Sequence, residues 1–566
     1  MAKYFSMGLL KKLRLFSVEV CNATSRQYKR FLSDPASILR YVKVFFSRGM
    51  VNKPVVLTKA HGEGLDKNHF LIFGDFAELH ERISGQNDFT KKASGIKKLA
   101  GNGKAFTIEI GLSRYNFGRL SAIAEFCMQL INKPIDLSSL QLKPFPVKDI
   151  SLNLLAYVEE VGKQLDSAVI KISFYDDKLT EMLNAISVHA QVNPGRERDL
   201  LRLLGIISEQ VFIGPQTVVF DPFHRCNTKC QHCWVHTPGV KHTEEFLERK
   251  FDLDLFRKII DDASEMMTDG IILQGDGEPL MYDKFIPMLR YARSKKLGVL
   301  FFTNGILLDE EKAKEVIELG VNEIYCSFPA GSAETYARIS TVQPGDTFYK
   351  VRDNLKKFME LRRKSGNNHP RLIISHVIHT LNYHELTEMA KMDADIAPDA
   401  VRFYLIRLDV MNRFLQLKPQ EIEAIKKQIP EIALILERNK IEFVDNFEFQ
   451  LEHYDEKTGA WSKDFFLSHG CTIGWYFNLI PAKYDMSFCC HLRTVGYLEK
   501  KSFKDVWNST EYWRWRRQAK YLKDNKSARF ANGQVLYDEH CDHCDNHQTI
   551  IKTMNELKKY DLYKYY

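Results

Sequence analysis

Cys226-Asn-Thr-Lys-Cys230-Gln-His-Cys233 is the stretch on which the reading of this chain turns. It puts three thiols on one tight loop and supplies no fourth. An iron–sulfur cluster held this way keeps one iron without a protein ligand, and chemistry can take place at that open position. A structural zinc site closes its tetrahedron with a fourth Cys or His. His224, His232 and His236 lie near enough in sequence to keep zinc as the plainer alternative. The three-thiol pattern favours iron–sulfur.

Working outward, the flanking sequence alternates between two periodicities. Runs of β-branched and aromatic residues at Thr217 to Phe220, Ile271 to Leu273, Val299 to Phe302, Asn322 to Ser327, Leu372 to His379 and Ala400 to Arg407 read as strands. Helical patterns separate them. In one, Leu255, Phe256, Ile259, Ile260, Ala263, Met266 and Met267 share a face. Others cover Tyr282 to Ser294, Asp309 to Leu319 and Phe348 to Arg363. Strands alternating with helices predict an α/β fold with parallel pairing through right-handed crossovers.

The spacing CxxxCxxC resembles the signature of the radical SAM superfamily, and the segments that follow match that family's remaining motifs in order. Gln274-Gly-Asp-Gly277-Glu278-Pro279 is similar to its GGEP segment, here with an aspartate between the glycines. Thr303-Asn304-Gly305 resembles its TNG, and Cys326-Ser327 through Arg338 its fourth strand and following helix. Asn382 fits the turn after the fifth strand. The resemblance implies a partial (β/α)6 TIM-like barrel with its ligands just past the strand C-termini. It also implies a 4Fe-4S cluster on Cys226, Cys230 and Cys233 whose free iron chelates S-adenosylmethionine (SAM). One electron then cleaves SAM to methionine and a 5′-deoxyadenosyl radical. Gln274, Gly277, Glu278, Asn304, Ser327 and Arg338 are the residues it assigns to SAM.

A second group of cysteines lies downstream: Cys471, Cys489, Cys490, Cys541 and Cys544. Four thiolates permit a closed site. The sequence around Cys490-His-Leu-Arg-Thr-Val-Gly496 and Phe503-Lys-Asp-Val-Trp507 is similar to the SPASM and twitch extensions of radical SAM enzymes. Five cysteines suit the twitch type, which implies one auxiliary 4Fe-4S cluster on Cys471, Cys489, Cys541 and Cys544. The seventeen residues between Cys471 and Cys489 and the closing CxxC resemble the twitch arrangement, which implies Cys489 as the ligand; its neighbour Cys490 would point to the opposite side of the strand. A zinc ribbon drawing on His540, His543 or His547 is the alternative. Cys21, Cys127 and Cys326 read as small buried hydrophobes.

Eleven cysteines in 566 residues are too few and too clustered for a disulfide framework, and they point to metal in a reducing, cytoplasmic compartment. No run approaches 18 apolar residues, so no membrane span is expected. Lys11, Lys12 and Arg14 sit in a short mixed stretch unlike a signal peptide. A formal charge of +8 is mild. Clusters such as Arg514-Trp515-Arg516-Arg517 read as solvated or packed helix faces, and nucleic-acid binding is not expected. The length suggests two or three domains: residues 1–205 as an α/β domain of unknown role, 212–410 as the SAM-binding core, and 418–566 as the cysteine-rich tail. In the first, strand-like runs occur at Val55 to Leu57, Phe70 to Phe73, Phe106 to Ile110 and Ala168 to Phe174. Leu120, Ile123, Ala124, Cys127 and Leu130 mark a helix, and Asn193-Pro-Gly-Arg marks a turn.

The expected reaction is hydrogen abstraction from an unactivated carbon, followed by loss of a second electron to the auxiliary cluster. The protein's share is positioning and exclusion of water. An external one-electron donor of the flavodoxin or ferredoxin type is implied. Residues 1–205 are too long and too α/β in pattern for a small leader-binding domain alone. That tilts the expected substrate toward a sugar- or cyclitol-like metabolite, with peptide maturation by a thioether or C–C cross-link as the alternative. From another class, a non-catalytic zinc or iron–sulfur protein predicts no SAM cleavage at all. No general base is identifiable.

Overall fold

The computed structural model describes residues 69–137, 139–140, 142, 147–444 and 447–566, together with the backbone of 43–44 and 55–56. Cys21, Lys11, Lys12, Arg14 and Leu57 lie outside the described residues. Two compact units emerge, one of residues 1–212 with 557–566 and the other of residues 213–556. The last ten residues, read from sequence as part of the tail, are thus grouped with the N-terminal unit. Core and tail fall together in the second unit.

The second unit is organised by one ten-stranded sheet. Its strands are β1 (Thr217–Phe220), β2 (Gly270–Leu273), β3 (Gly298–Thr303), β4 (Glu323–Ser327), β5 (Arg371–Ile378), β6 (Ala400–Leu405), β7 (Glu442–Phe443), β8 (Phe477–Ile480), β9 (Asp485–Ser487) and β10 (Thr494–Tyr497). The order is β7-β6-β5-β4-β3-β2-β1-β8-β9-β10. From β1 to β7 every neighbouring pair is parallel, each joined through helical segments. Strands β1 to β6 are the partial (β/α)6 barrel. Their bounds differ from the sequence-derived ones by two residues at most, because β-branched runs end where polar turn residues begin.

Helix α1 (Leu253–Glu265) starts at Asp252, whose carboxylate accepts the Leu255 N–H at 2.7 Å. It buries Phe256, Ile259, Ile260 and Ala263. The apolar pattern runs on through Met266 and Met267, yet the helix ends before them. Met266 offers its carbonyl to Gly214 N at 2.7 Å, and Met267 turns the chain with φ of 61° toward β2. Phe220 of β1 packs edge-on against Phe251 and Phe256, at centroid distances of 5.3 and 4.8 Å.

The tail extends this sheet, a feature the sequence reading does not contain. β8 pairs in parallel with β1, Phe477 beside Thr217 through Ile480 beside Phe220. The antiparallel strands β9 and β10 follow at the edge. Helix α2 (Phe503–Trp507) anchors the tail to the core: Trp507 Nε1 donates to Ile213 O at 3.1 Å, and Lys504 N donates to Asp262 at 3.0 Å.

In the N-terminal unit, His69–Ile72, Thr107–Leu112 and Ile170–Phe174 form a three-stranded parallel sheet in that order. The helix Leu120–Leu130 buries Leu120, Ile123, Ala124, Cys127 and Leu130. Gly195 takes φ of 88° in the turn after the helix Asp177–Val192. Among the described residues, no helix is long and apolar enough to cross a membrane.

Candidate metal centres and cofactor site

The three-cysteine loop leaves the C-terminal end of β1 and is held from several sides. Gln231 N donates to Ile339 O at 2.9 Å, Thr341 N to Lys229 O at 3.3 Å, and Gln343 Nε2 to Asn227 O at 2.5 Å. Asn304, just past β3, donates to Asn227 Oδ1 at 2.6 Å. Each sulfur has a local donor. Cys226 Sγ lies 3.2 Å from Thr228 Oγ1 and Cys230 Sγ lies 3.6 Å from Ser340 Oγ, while Cys233 Sγ accepts from Val235 N and His236 N at 3.3 and 3.1 Å. Burial pushes the Cys226 thiol up to about 12 and Cys233 to about 11. Metal binding therefore has to release these protons. Asn227, Ser340 and Gln343 were not singled out by sequence reasoning, since polar residues in turns carry no distinguishing signal.

The loop 274–278 past β2 lies against this one. A Cβ on Gly277 would sit 2.4 Å from Phe223 O and 2.5 Å from Arg225 O, so only glycine admits the approach. Glu278 N donates to Arg225 O at 3.0 Å. The Glu278 carboxylate is buried and accepts from Thr303 Oγ1 and Asn304 N at 2.8 Å and from Leu280 N at 3.1 Å. Burial raises its pKa against the opposing pull of those three bonds.

The other residues assigned to SAM are less clustered. Ser327 is at the end of β4 and Gln274 just past β2, its N–H donated to Phe220 O at 3.0 Å. Arg338 is exposed and donates to Leu381 O at 2.7 Å. Asn382 is buried and fully spent on backbone: it accepts His379 N and donates to Pro329 O and Val377 O, all at 2.8 Å. It is a cross-tie between the turns after β4 and β5.

Cys471, Cys489, Cys541 and Cys544 line one cavity, with Phe466, Phe488 and Leu522 as apolar wall. Cys490 is not among the residues lining that cavity, but its sulfur lies beside it, within 4.8 Å of Cys544 Sγ and of a His491 ring nitrogen. Sequence reasoning missed Arg493. Buried at 2 % exposure, it donates to Cys489 Sγ at 3.3 Å and Cys541 Sγ at 3.5 Å, and pairs with Asp538 at 3.0 Å.

The donor sets discriminate between metals. Tetrahedral zinc with bonds of about 2.3 Å needs thiolates about 3.8 Å apart. Among the described residues, the sets of three ligating side chains that come within 4.8 Å are Cys490–His491–Cys544 and Asp221–His224–Asp276. Neither the three-cysteine loop nor the four-cysteine cavity is drawn that tight. A wider nest of thiols fits a polynuclear cluster.

The profile of the radical SAM superfamily matches residues 220–392, and that of an iron–sulfur cluster-binding SPASM domain matches residues 471–545. Among curated proteins, the chain is 26 % identical to a tungsten-containing aldehyde ferredoxin oxidoreductase cofactor-modifying protein of Pyrococcus furiosus. That match spans 51 % of this chain and 79 % of the relative. It is 23 % identical to a PqqA peptide cyclase of Granulibacter bethesdensis, over 53 % and 74 %. Among solved structures, SuiB of Streptococcus suis bound to S-adenosylmethionine aligns with a TM-score of 0.44 and 14 % identity, over 72 % of this chain and 84 % of that one. The two profiles fall on the two cysteine-bearing regions of the sheet: residues 220–392 form a radical SAM domain and residues 471–545 a SPASM-type iron–sulfur cluster-binding domain.

Proposed function

We propose that this protein is a radical SAM maturase that oxidises a peptide substrate, with Cys226, Cys230 and Cys233 holding the SAM-binding cluster and Cys471, Cys489, Cys541 and Cys544 the auxiliary one. The observation that carries the proposal is the placement of an open three-thiol loop and a closed four-thiol cavity on one continuous sheet. The pair β1–β8 leads from one to the other. When bound and reduced, the SAM-binding cluster supplies a 5′-deoxyadenosyl radical able to abstract an unactivated hydrogen.

The chain's own residues do the rest. Gly277 lets the 274–278 loop lie on the cysteine loop, and Glu278 presents a buried acid for the methionine ammonium. Gln274, Asn304, Ser327 and Arg338 come from the ends of β2, β3 and β4, or the helix after β4, to complete the SAM site. On the same rim, Trp234 carries the Arg407 guanidinium 4.9 Å over its ring. The His232 and His379 rings are 5.4 Å apart, with His232 Nδ1 and His379 Nε2 buried and unpaired. Those groups are placed to orient a substrate and exclude water. An external donor of the flavodoxin or ferredoxin class would supply the electron, and a cluster held by Cys471, Cys489, Cys541 and Cys544 would supply an acceptor for the second electron of each turnover.

The peptide reading draws on the names of relatives, a PqqA peptide cyclase and a mycofactocin maturase. Neither of these two names favours the sugar-like metabolite that the length of residues 1–205 suggests. The test is anaerobic incubation of reconstituted protein with SAM, dithionite and peptides encoded beside its gene. The proposal expects 5′-deoxyadenosine together with a peptide lighter by two hydrogens. SAM cleavage that no peptide stimulates, but that a small metabolite does, would overturn the peptide assignment. Absence of SAM cleavage would overturn the enzyme.

A further inference from the structure

Just ahead of the cysteine loop is a group of side chains that neither cluster uses. Asp221 follows β1, His224 comes three residues later, and Asp276 stands between Gly275 and Gly277. His224 Nε2 lies 2.8 Å from Asp221 Oδ2 and 3.8 Å from Asp276 Oδ2. All three ligating atoms lie within 4.8 Å of one another. Asp221 and His224 are 3 % and 2 % exposed, while Asp276 reaches in from the solvent side.

The anomaly is the imidazole. Both ring nitrogens of His224 are buried and neither has a hydrogen-bond partner. The 2.8 Å approach of Nε2 to Asp221 is therefore close enough for a hydrogen bond but not directed as one. His224 Nε2 and Asp221 Oδ2 thus face each other at ion-pair distance, and a metal ion bound by both would take the place of a proton between them. The surroundings fix them there. His236 Nε2 lies 2.8 Å from the His224 carbonyl, and the Phe246 ring lies 4.5 Å from its ring. Asp221 Oδ1 accepts Asp276 N at 3.1 Å, and a Cβ on Gly275 would come within 2.0 Å of that same oxygen. One Asp221 oxygen is thus committed to the loop and the other faces His224.

We infer that Asp221, His224 and Asp276 form a divalent-cation site distinct from both cysteine sets. One imidazole and two carboxylates make a nitrogen and oxygen donor set suited to Mn²⁺, Fe²⁺ or Zn²⁺ and poorly suited to a thiophilic ion. With ligand bonds near 2.1 Å, the 2.8 and 3.8 Å separations correspond to angles of roughly 85° and 130° at the ion. Such an ion compensates the buried Asp221 carboxylate and pins the 274–278 loop to the cysteine loop, leaving positions for water or an anionic group.

The test uses the full chain with both cysteine sets loaded with iron and sulfide, desalted and titrated with MnCl₂. Binding is read from loss of the free Mn²⁺ EPR signal. Mn²⁺ is the probe because it prefers oxygen and imidazole to thiolate. Expected is about one Mn²⁺ per chain, with affinity weakened at least about tenfold in Asp276→Asn and in His224→Gln, and unchanged in Cys490→Ser. Asp276→Asn alters a partly exposed side chain without changing its volume; iron content and circular dichroism report its folding. No Mn²⁺ binding, or binding that Asp276→Asn and His224→Gln leave untouched, would overturn the site. Binding lost on Cys490→Ser instead would place the ion at Cys490, His491 and Cys544, and would equally overturn it.

Discussion

The two cysteine nests use the same ligand atom in opposite surroundings. Around Cys226, Cys230 and Cys233, half-buried residues, the sulfurs meet neutral partners: Thr228, Ser340 and two backbone N–H groups. Around Cys489 and Cys541 the sulfurs are buried and share a guanidinium, Arg493, itself held by Asp538. A site with one thiol too few suits exchange of a ligand. A closed one with a buried cation suits storage of an electron, because the cation favours the more negative state. The division of labour is thus written in what touches sulfur rather than in sulfur itself.

Separating the nests by mutation gives the largest effect. Replacing Cys226, Cys230 and Cys233 by Ala should lower iron from about eight to about four per chain and abolish formation of 5′-deoxyadenosine. Replacing Cys471 and Cys541 should remove the other half of the iron while SAM cleavage persists and product does not form. Within the tail, Cys489→Ser should lose auxiliary iron and Cys490→Ser should keep it, as read by iron and sulfide analysis. The reverse result would exchange the two as ligands and leave the cavity short of one thiol.

Gly277→Ala probes the open nest without touching sulfur. The added methyl meets two backbone oxygens at 2.4 and 2.5 Å, which no side-chain rotation relieves. Displacing the 274–278 loop by a fraction of an ångström should slow SAM cleavage on the order of a hundredfold. Auxiliary iron should be unaffected, because nothing from that loop lines the four-cysteine cavity.

Arg493→Met probes the closed nest in the same spirit. Loss of one buried positive charge near the sulfurs should move the auxiliary midpoint to more negative potential, on the order of 100 mV. Arg493→Lys should restore part of it. Redox titration followed by EPR separates this shift from that of the first cluster, which should stay in place. An unchanged midpoint in Arg493→Met would mean that Asp538 already cancels the charge.

How far these contrasts were legible in the sequence depended on the range of the forces involved. The six barrel strands were legible because each is a local run of β-branched or aromatic residues between helical patterns. The cysteine loop and the 274–278 loop were legible because their chemistry sits in contiguous residues. Pairing of β8 with β1 was not: it joins Phe477 to Thr217, and four residues of mixed polarity give no local sign of their partner. Arg493 was illegible for a related reason, since one arginine in a polar turn looks solvated until the fold buries it. Asn382 was legible as a turn residue after the fifth strand, and three backbone bonds that consume its amide are how it holds that turn.

The smallest expected effect sharpens the comparison most. Ser340 Oγ lies 3.6 Å from Cys230 Sγ, a long contact from a neutral donor. Its removal leaves the loop tied, because the backbone bonds from Gln231 N to Ile339 O and from Thr341 N to Lys229 O do not involve the side chain. Ser340→Ala should therefore keep full iron content and change SAM cleavage by less than about threefold, consistent with one weak hydrogen bond worth about 0.5 kcal/mol. The first cluster's midpoint should fall, by less than Arg493→Met lowers the second, since a neutral dipole stabilises the reduced thiolate set less than a full charge does. A shift at Ser340 as large as that at Arg493 would break the contrast. It would mean that the open nest is tuned as tightly as the closed one, and that the missing fourth thiol rather than charge separates their tasks.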